Sequence, residues 1–220
     1  LQKVVNTEDS VSQNAYYHLA LSFLKKGDKQ SARNSFQFAS KTEYNPEITE
    51  HSLFNYAKLS YELNFQPVAV NALRDYIKKY PSSSAIDEAN ELLAGLYLTT
   101  RNYKDAFALL ENIKNRSGSA KQAYQKVAYY RGVEFFSDGD RDKAINMFEK
   151  AIVNDVDQTL RAQAMYWKAE ALYAQNKYDA AIKQYRIYIF NPGSINTSMY
   201  SLANYNMGYC YFKLGNYDES

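Results

Sequence analysis

The residues able to do chemistry in this 220-residue chain are few, and their spacing decides what they could do. There are two histidines, His18 and His51, and neither has a second imidazole, thiolate or carboxylate at ligand or base spacing. A packing or surface role is expected for both. The lone Cys210 lies among Tyr209, Tyr211 and Phe212; it can form no internal disulfide and no structural zinc site by itself, so it reads as a packing residue. Glu88 and Glu91 stand one helical turn apart, but glycoside hydrolysis needs a second carboxylate facing the first across a cleft, and the sequence places none there. No glycine-rich phosphate loop is present. The expectation is a protein without catalysis, metal or cofactor. Lysine and arginine (26) nearly balance aspartate and glutamate (24), and a net charge of +2 gives no field that would draw in nucleic acid. No apolar run is long enough for a membrane span.

Tyrosine is the anomaly, at 22 of 220 residues. A helical core can be filled with leucine and alanine, so this many rings ask for another use. The elements that must position them follow from a recurring pattern: a turn residue, an alanine five positions on, and an apolar residue four beyond that. The turn residues are Gly27, Asn64, Arg101, Gly139, Asn176 and Gly215. The alanines are Ala32, Ala69, Ala106, Ala144 and Ala181, with Ser220 in the sixth slot, so the unit recurs every ~37 to ~39 residues, within the range of helical repeat arrays. Apolar residues at i, i+3, i+4 and i+7 precede each turn, as in Tyr16, Leu19, Ala20 and Phe23, and an i, i+4, i+7 series follows, as in Ala32, Phe36 and Ala39. Each unit is therefore predicted to be a pair of antiparallel amphipathic helices. Small residues recur where two helices would cross closely, at Ala20, Ala57, Ala94, Gly132, Ala169 and Gly208. Asn45-Pro46, Tyr80-Pro81-Ser82, Ser117-Gly118-Ser119 and Asn191-Pro192-Gly193-Ser194 separate the units. Ser10 with Gln13, and Ser84 with Asp87, have the spacing of capping boxes.

The segment Ala164–Tyr173 followed by Asn176–Ile182, and again Gly208–Leu214 followed by Gly215–Glu219, resembles the tetratricopeptide repeat (TPR), a resemblance that extends over essentially the whole chain. It implies an all-α, right-handed α-solenoid of about five and a half such repeats. They would form one domain over 1–220, with repeats at about 13–46, 50–82, 87–119, 125–157, 162–194 and a partial 201–220. The family's usual unit is shorter, at about 34 residues. The longer unit here, closing on Lys79-Tyr80-Pro81, is similar to bacterial envelope members such as the Tol-Pal-associated periplasmic protein and outer-membrane assembly lipoproteins. That similarity implies a periplasmic or outer-membrane-associated location, although a cytoplasmic scaffold would have the same sequence features. Leu1–Val5 fall where the second helix of a preceding unit would finish, and Ser220 falls in the opening of a further helix. Flanking parts of a longer chain are the expectation.

In a TPR superhelix the first helix of each pair lines the concave face, and the resemblance carries groove positions onto Tyr17, Phe54, Tyr61, Tyr129, Phe136, Tyr166, Tyr173, Tyr205 and Tyr209. Tyrosine combines a broad apolar face with a hydroxyl at little entropic cost, which suits a recognition surface. The chaperone-type clamp for a terminal carboxylate does not match, because Tyr17 and Leu21 occupy two clamp positions and Glu88 a third, leaving Asn55 alone in agreement. The resemblance therefore implies a scaffold holding an extended peptide or helix of a protein partner. Two alternatives stand beside it: a glycan-binding surface on which sugar rings stack, and rings folded away into interhelical packing.

Overall fold

Left-handed backbone at six evenly spaced turns sets the architecture. All six predicted turn residues adopt positive φ, between 57° at Arg101 and 86° at Gly139. Glycine reaches this region freely, whereas Asn64, Arg101 and Asn176 do so against their own side chains. Five of these turns close with a paired hydrogen-bond signature, as where the Asp28 N–H donates to the Phe23 carbonyl (2.9 Å) and the Gly27 N–H to that of Leu24 (3.0 Å). Asp28 and Asp140 then cap the next helix by accepting from the N–H of Ser31 (3.0 Å) and Lys143 (3.2 Å).

The computed structural model describes residues 10–219, with the backbone alone at residue 196. Leu1–Val5 and Ser220, to which the repeat pattern assigns helix ends, lie outside the described residues. Eleven α-helices are found among those described: α1 (Ser10–Lys25), α2 (Lys29–Lys41), α3 (Pro46–Glu62), α4 (Gln66–Lys79), α5 (Ile86–Thr99), α6 (Tyr103–Glu111), α7 (Gly118–Ser137), α8 (Arg141–Val153), α9 (Gln158–Ala174), α10 (Tyr178–Ile189) and α11 (Tyr200–Lys213). Short 3-10 turns occupy Pro192–Asn196 and Tyr217–Glu219. The fold is the all-α array of TPR-like helical hairpins that the repeat implies. By their internal contacts the helices group into two compact units. The first contains the residues up to Thr100 with Asn112–Asn115, and the second Arg101–Glu111 with the residues from Arg116 onward.

In the first unit α1 packs on α2, α2 on α3, α3 on α4 and α4 on α5; in the second, sequential packing runs from α6 to α11. The alanines of the second helices, Ala32, Ala69, Ala106, Ala144 and Ala181, are all fully buried, as are Ala20, Ala57, Ala94 and Ala169 of the first helices. Gly132 shows the steric reason most plainly, because a Cβ there would lie 2.5 Å from Cε1 of Phe148.

The two capping boxes do not form. Ser83 rather than Ser84 accepts from the Ala85 N–H (3.2 Å), and α5 starts without a side-chain cap. Gln13 is instead fully buried, accepting from the Asn45 N–H (2.8 Å) and donating to Thr49 Oγ1 (2.9 Å). Gln125 repeats this role three units on, accepting from the Asp157 N–H (2.7 Å) and donating to the Asp157 carbonyl (3.1 Å). At the same register Asp87 accepts from the Asn115 N–H at 3.5 Å. The first position of these units thus ties down the connector to the next pair.

Candidate interaction surface

The nine groove candidates separate into three environments. Phe54, Tyr129 and Tyr166 are buried, 9%, 8% and 3% exposed respectively. Phe54 packs on Tyr76 with ring centroids 5.2 Å apart, Tyr129 on Phe148 at 6.2 Å, and Tyr166 between Tyr185 (6.3 Å) and Tyr188 (5.7 Å). Placing these three on an open groove is therefore corrected: the second helix of each hairpin carries its own large ring toward them, and the two meet inside. Burial raises the phenol pKa of Tyr129 and of Tyr166, in the latter case with the Glu170 carboxylate adding to the effect.

Tyr17, Tyr61, Phe136 and Tyr173 are half-buried, each with one face against the protein. In the first unit Tyr17 meets the Phe36 ring edge-on at 6.2 Å and the exposed His51 at 5.5 Å. His51 is also within 3.3 Å of the Asn55 amide, and His18 is exposed. Tyr61 lies over α5, with its hydroxyl 3.7 Å from where a Cβ on Gly95 would sit. Glu88 is exposed and pairs with Lys58 at 2.7 Å, a surface ion pair of small energetic weight. In the second unit Phe136 stands edge-on to Trp167 at 5.2 Å and is covered by the Arg141 guanidinium at 4.0 Å.

Tyr205 and Tyr209 are exposed, 70% and 37% respectively. Tyr209, with Tyr173, belongs to an aromatic run of the second unit. Ring follows ring from Tyr178 to Tyr173 (5.9 Å), Tyr209 (6.2 Å), Phe212 (6.0 Å) and Tyr217 (5.7 Å). The Lys213 ammonium lies 5.1 Å from the Tyr209 ring, and its hydrogen bond to the Tyr209 hydroxyl raises its pKa. The surface is thus a strip of π-faces and edges carrying hydroxyls and one cation, able to take up apolar groups while bonding their polar flanks.

What holds this strip is less visible from sequence. Beneath it, Glu170 Oε1 accepts from the Tyr185 hydroxyl (2.5 Å) and the Asn206 amide (2.6 Å), joining α9, α10 and α11. Tyr185 is fully buried, and its phenol pKa is raised by burial and by that carboxylate. Cys210 is buried beside it, its thiol pushed up to about 11 by burial with Glu170 adding to the effect. This is a packing environment, not a reactive one. Glu170 occupies a groove register in the repeat, and only the phenol and amide aimed at it distinguish its role.

Tetratricopeptide repeat models match residues 14–37 and 51–83, residues 129–195 and residues 202–220, together well over half of the chain. Among solved structures the chain is similar to the MamA protein (TM-score 0.47, 19% identity, 80% of this chain and 90% of that one covered). It is likewise similar to a tetratricopeptide repeat protein from Parabacteroides merdae (0.47, 16%, 94% and 75%) and to the TPR2AB domain of yeast Sti1 in complex with pHSP90 (0.42, 14%, 96% and 87%). No curated protein matches the sequence. No helix among the described residues is long and apolar enough to cross a membrane. With its repeats matched along most of its length, the chain belongs to the tetratricopeptide repeat family.

Proposed function

We propose that this protein is a non-catalytic scaffold that holds a polypeptide partner against its tyrosine-rich first-helix faces, within a bacterial envelope assembly. Proteins of this family mediate protein–protein interactions. The observation that carries the reading is the continuous aromatic run Tyr178–Tyr173–Tyr209–Phe212–Tyr217, flanked by the open Tyr205. Rings with two rotatable bonds lose little freedom on binding, so such a strip gains more per side chain than flexible residues do. Tyr17 and Tyr61 offer smaller ring faces on the first unit. The envelope placement rests on the long repeat and its Lys79-Tyr80-Pro81 close, which resemble envelope members of the family.

The test compares the wild type with a Tyr173→Ala/Tyr205→Ala/Tyr209→Ala variant on arrays of immobilised peptides and of glycans, after circular dichroism shows equal helicity. Peptides bound by the wild type and at least tenfold less by the variant support the scaffold. Tyrosine-dependent binding confined to glycans, or no tyrosine-dependent binding at all, overturns it.

A further inference from the structure

One unit breaks the internal pattern where the other complete units keep an apolar residue. Four positions before the small crossing residue stand Tyr16, Leu53, Ala128 and Met165, but in the third unit the residue is Asn90. Asn90 is only 4% exposed, and no described group hydrogen-bonds its amide. Its side chain faces a cavity of about 410 Å³ on the first unit, whose other walls include Ile77, Pro81, Ile86, Asp87, Asn112 and Lys114.

The origin of this cavity can be read by comparison with the first unit. Seventy-four positions earlier, the counterparts of Asn90 and Asn112 are Tyr16 and Phe38, which stack with centroids 4.9 Å apart and fill the space. The counterpart of Asp87 is the buried Gln13. The second helix is also cut short: α6 has 9 residues against 13 in α2, so Asn112 and Lys114 lie on a connector where their counterparts are helical. Where the first unit has a partly exposed aromatic stack, the third has two carboxamides around open space. The nearly buried Asn90 amide thereby offers a donor and an acceptor to whatever enters the cavity.

We propose that this cavity is a peptide side-chain pocket that takes a glutamine or asparagine carboxamide of a polypeptide ligand. A primary amide pairs with Asn90 through one donor and one acceptor in each direction. The aliphatic walls Ile77, Pro81 and Ile86 suit its methylene stem, and the Asp87 carboxylate and Lys114 ammonium flank the adjoining backbone amide. The lining contains no aromatic face on which a sugar ring could stack, which favours a peptide over a glycan. The proposal stands independently of the tyrosine strip, which belongs to the other unit.

The experiment titrates N-acetyl-glutamine methylamide, N-acetyl-asparagine methylamide, N-acetyl-leucine methylamide and N-acetylglucosamine into 15N-labelled protein. The reporter is the Asn90 side-chain NH2 pair, assigned by its absence in Asn90→Leu. That variant should fold at least as well as wild type, because Leu53 holds the same position in the second unit. The expected result is saturable movement of the Asn90 pair by the glutamine or asparagine compound, at least tenfold weaker with the leucine compound. Neighbouring backbone resonances should lose the response to the same degree in Asn90→Leu. An unmoved Asn90 pair, equal binding of the leucine compound, binding that survives Asn90→Leu, or a response to the sugar alone would each overturn the proposal. The Tyr173/Tyr205/Tyr209 variant should bind these compounds as wild type does, so failure here is distinguishable from failure of the scaffold reading.

Discussion

Gly132→Ala tests the steric logic of the hairpins at its tightest point. The added Cβ would lie 2.5 Å from Phe148 Cε1, 2.6 Å from Cδ1 and 3.0 Å from Cζ. Ordinary contact begins near ~3.5 Å, so the ring or the helix pair must move by about an ångström. Phe148 is fully buried, with Tyr129 and Ala164 among its core neighbours, and its ring cannot swing aside. Overpacking of this kind costs about 1–3 kcal/mol, while alanine in place of glycine returns about 1 kcal/mol of helix propensity. The net expectation is destabilisation of about 1 kcal/mol, read as a lower urea midpoint at unchanged m-value. A second substitution makes the argument specific. Leu73 and Leu110 hold the position of Phe148 opposite Ala57 and Ala94, so in a Phe148→Leu background alanine at 132 should be neutral or stabilising. The double-mutant cycle should give a coupling of about 1–2 kcal/mol. If Gly132→Ala stabilises the wild type, or the coupling is zero, close crossing is not why this position is small.

Three further outcomes follow from other sites. Arg101→Gly removes a non-glycine residue from φ 57° and should raise the melting temperature, by an amount corresponding to about 1 kcal/mol; a lower melting temperature would mean that the Arg101 side chain contributes more than its backbone strain costs. Gln125→Leu strips both partners from the backbone of Asp157 and should cost about 3 kcal/mol in urea unfolding, whereas Lys126→Ala next to it, on the exposed face, should cost less than about 0.5 kcal/mol on the usual surface scale. Tyr124, Tyr166 and Tyr185 have phenol pKa values raised above the ordinary 10 in the folded state, so the stability they confer is complete below pH 10 and is lost as pH rises beyond it, by about 1.4 kcal/mol per pH unit for each group. Phenolate absorbance should therefore rise together with loss of helical signal in an alkaline titration. Ionisation of these three without unfolding would refute the burial argument.

The hairpin array was legible in the sequence because turn chemistry and close crossing each demand a residue type that cannot be substituted without strain or clash. Positive φ favours glycine or asparagine, which five of the six turns carry, and a crossing selects alanine or glycine, so the regular spacing located the sixth turn, Arg101, with the rest. Ring exposure was not legible in the same way. Phe54, Tyr129 and Tyr166 share a register with Tyr17 and Tyr205, yet the first three are buried, Tyr17 is half-buried and Tyr205 is exposed. Tyr76, Phe148 and Tyr185 pack on the first three from the second helices, while Tyr17 meets Phe36 on one side and the exposed His51 on another. A repeat pattern averages over such neighbours.

The same averaging bears on function. Positions that obey the repeat are explained by the fold, so recognition should be sought where one copy departs from it. Asn90 departs by placing a carboxamide where the other complete copies keep apolar side chains, at the wall of the cavity. The aromatic strip differs more gently, with Tyr205 open where Phe54, Tyr129 and Tyr166 at the same register are buried. The strip and the pocket lie on different units, and each is tested by its own chemistry, rings in one and a carboxamide in the other.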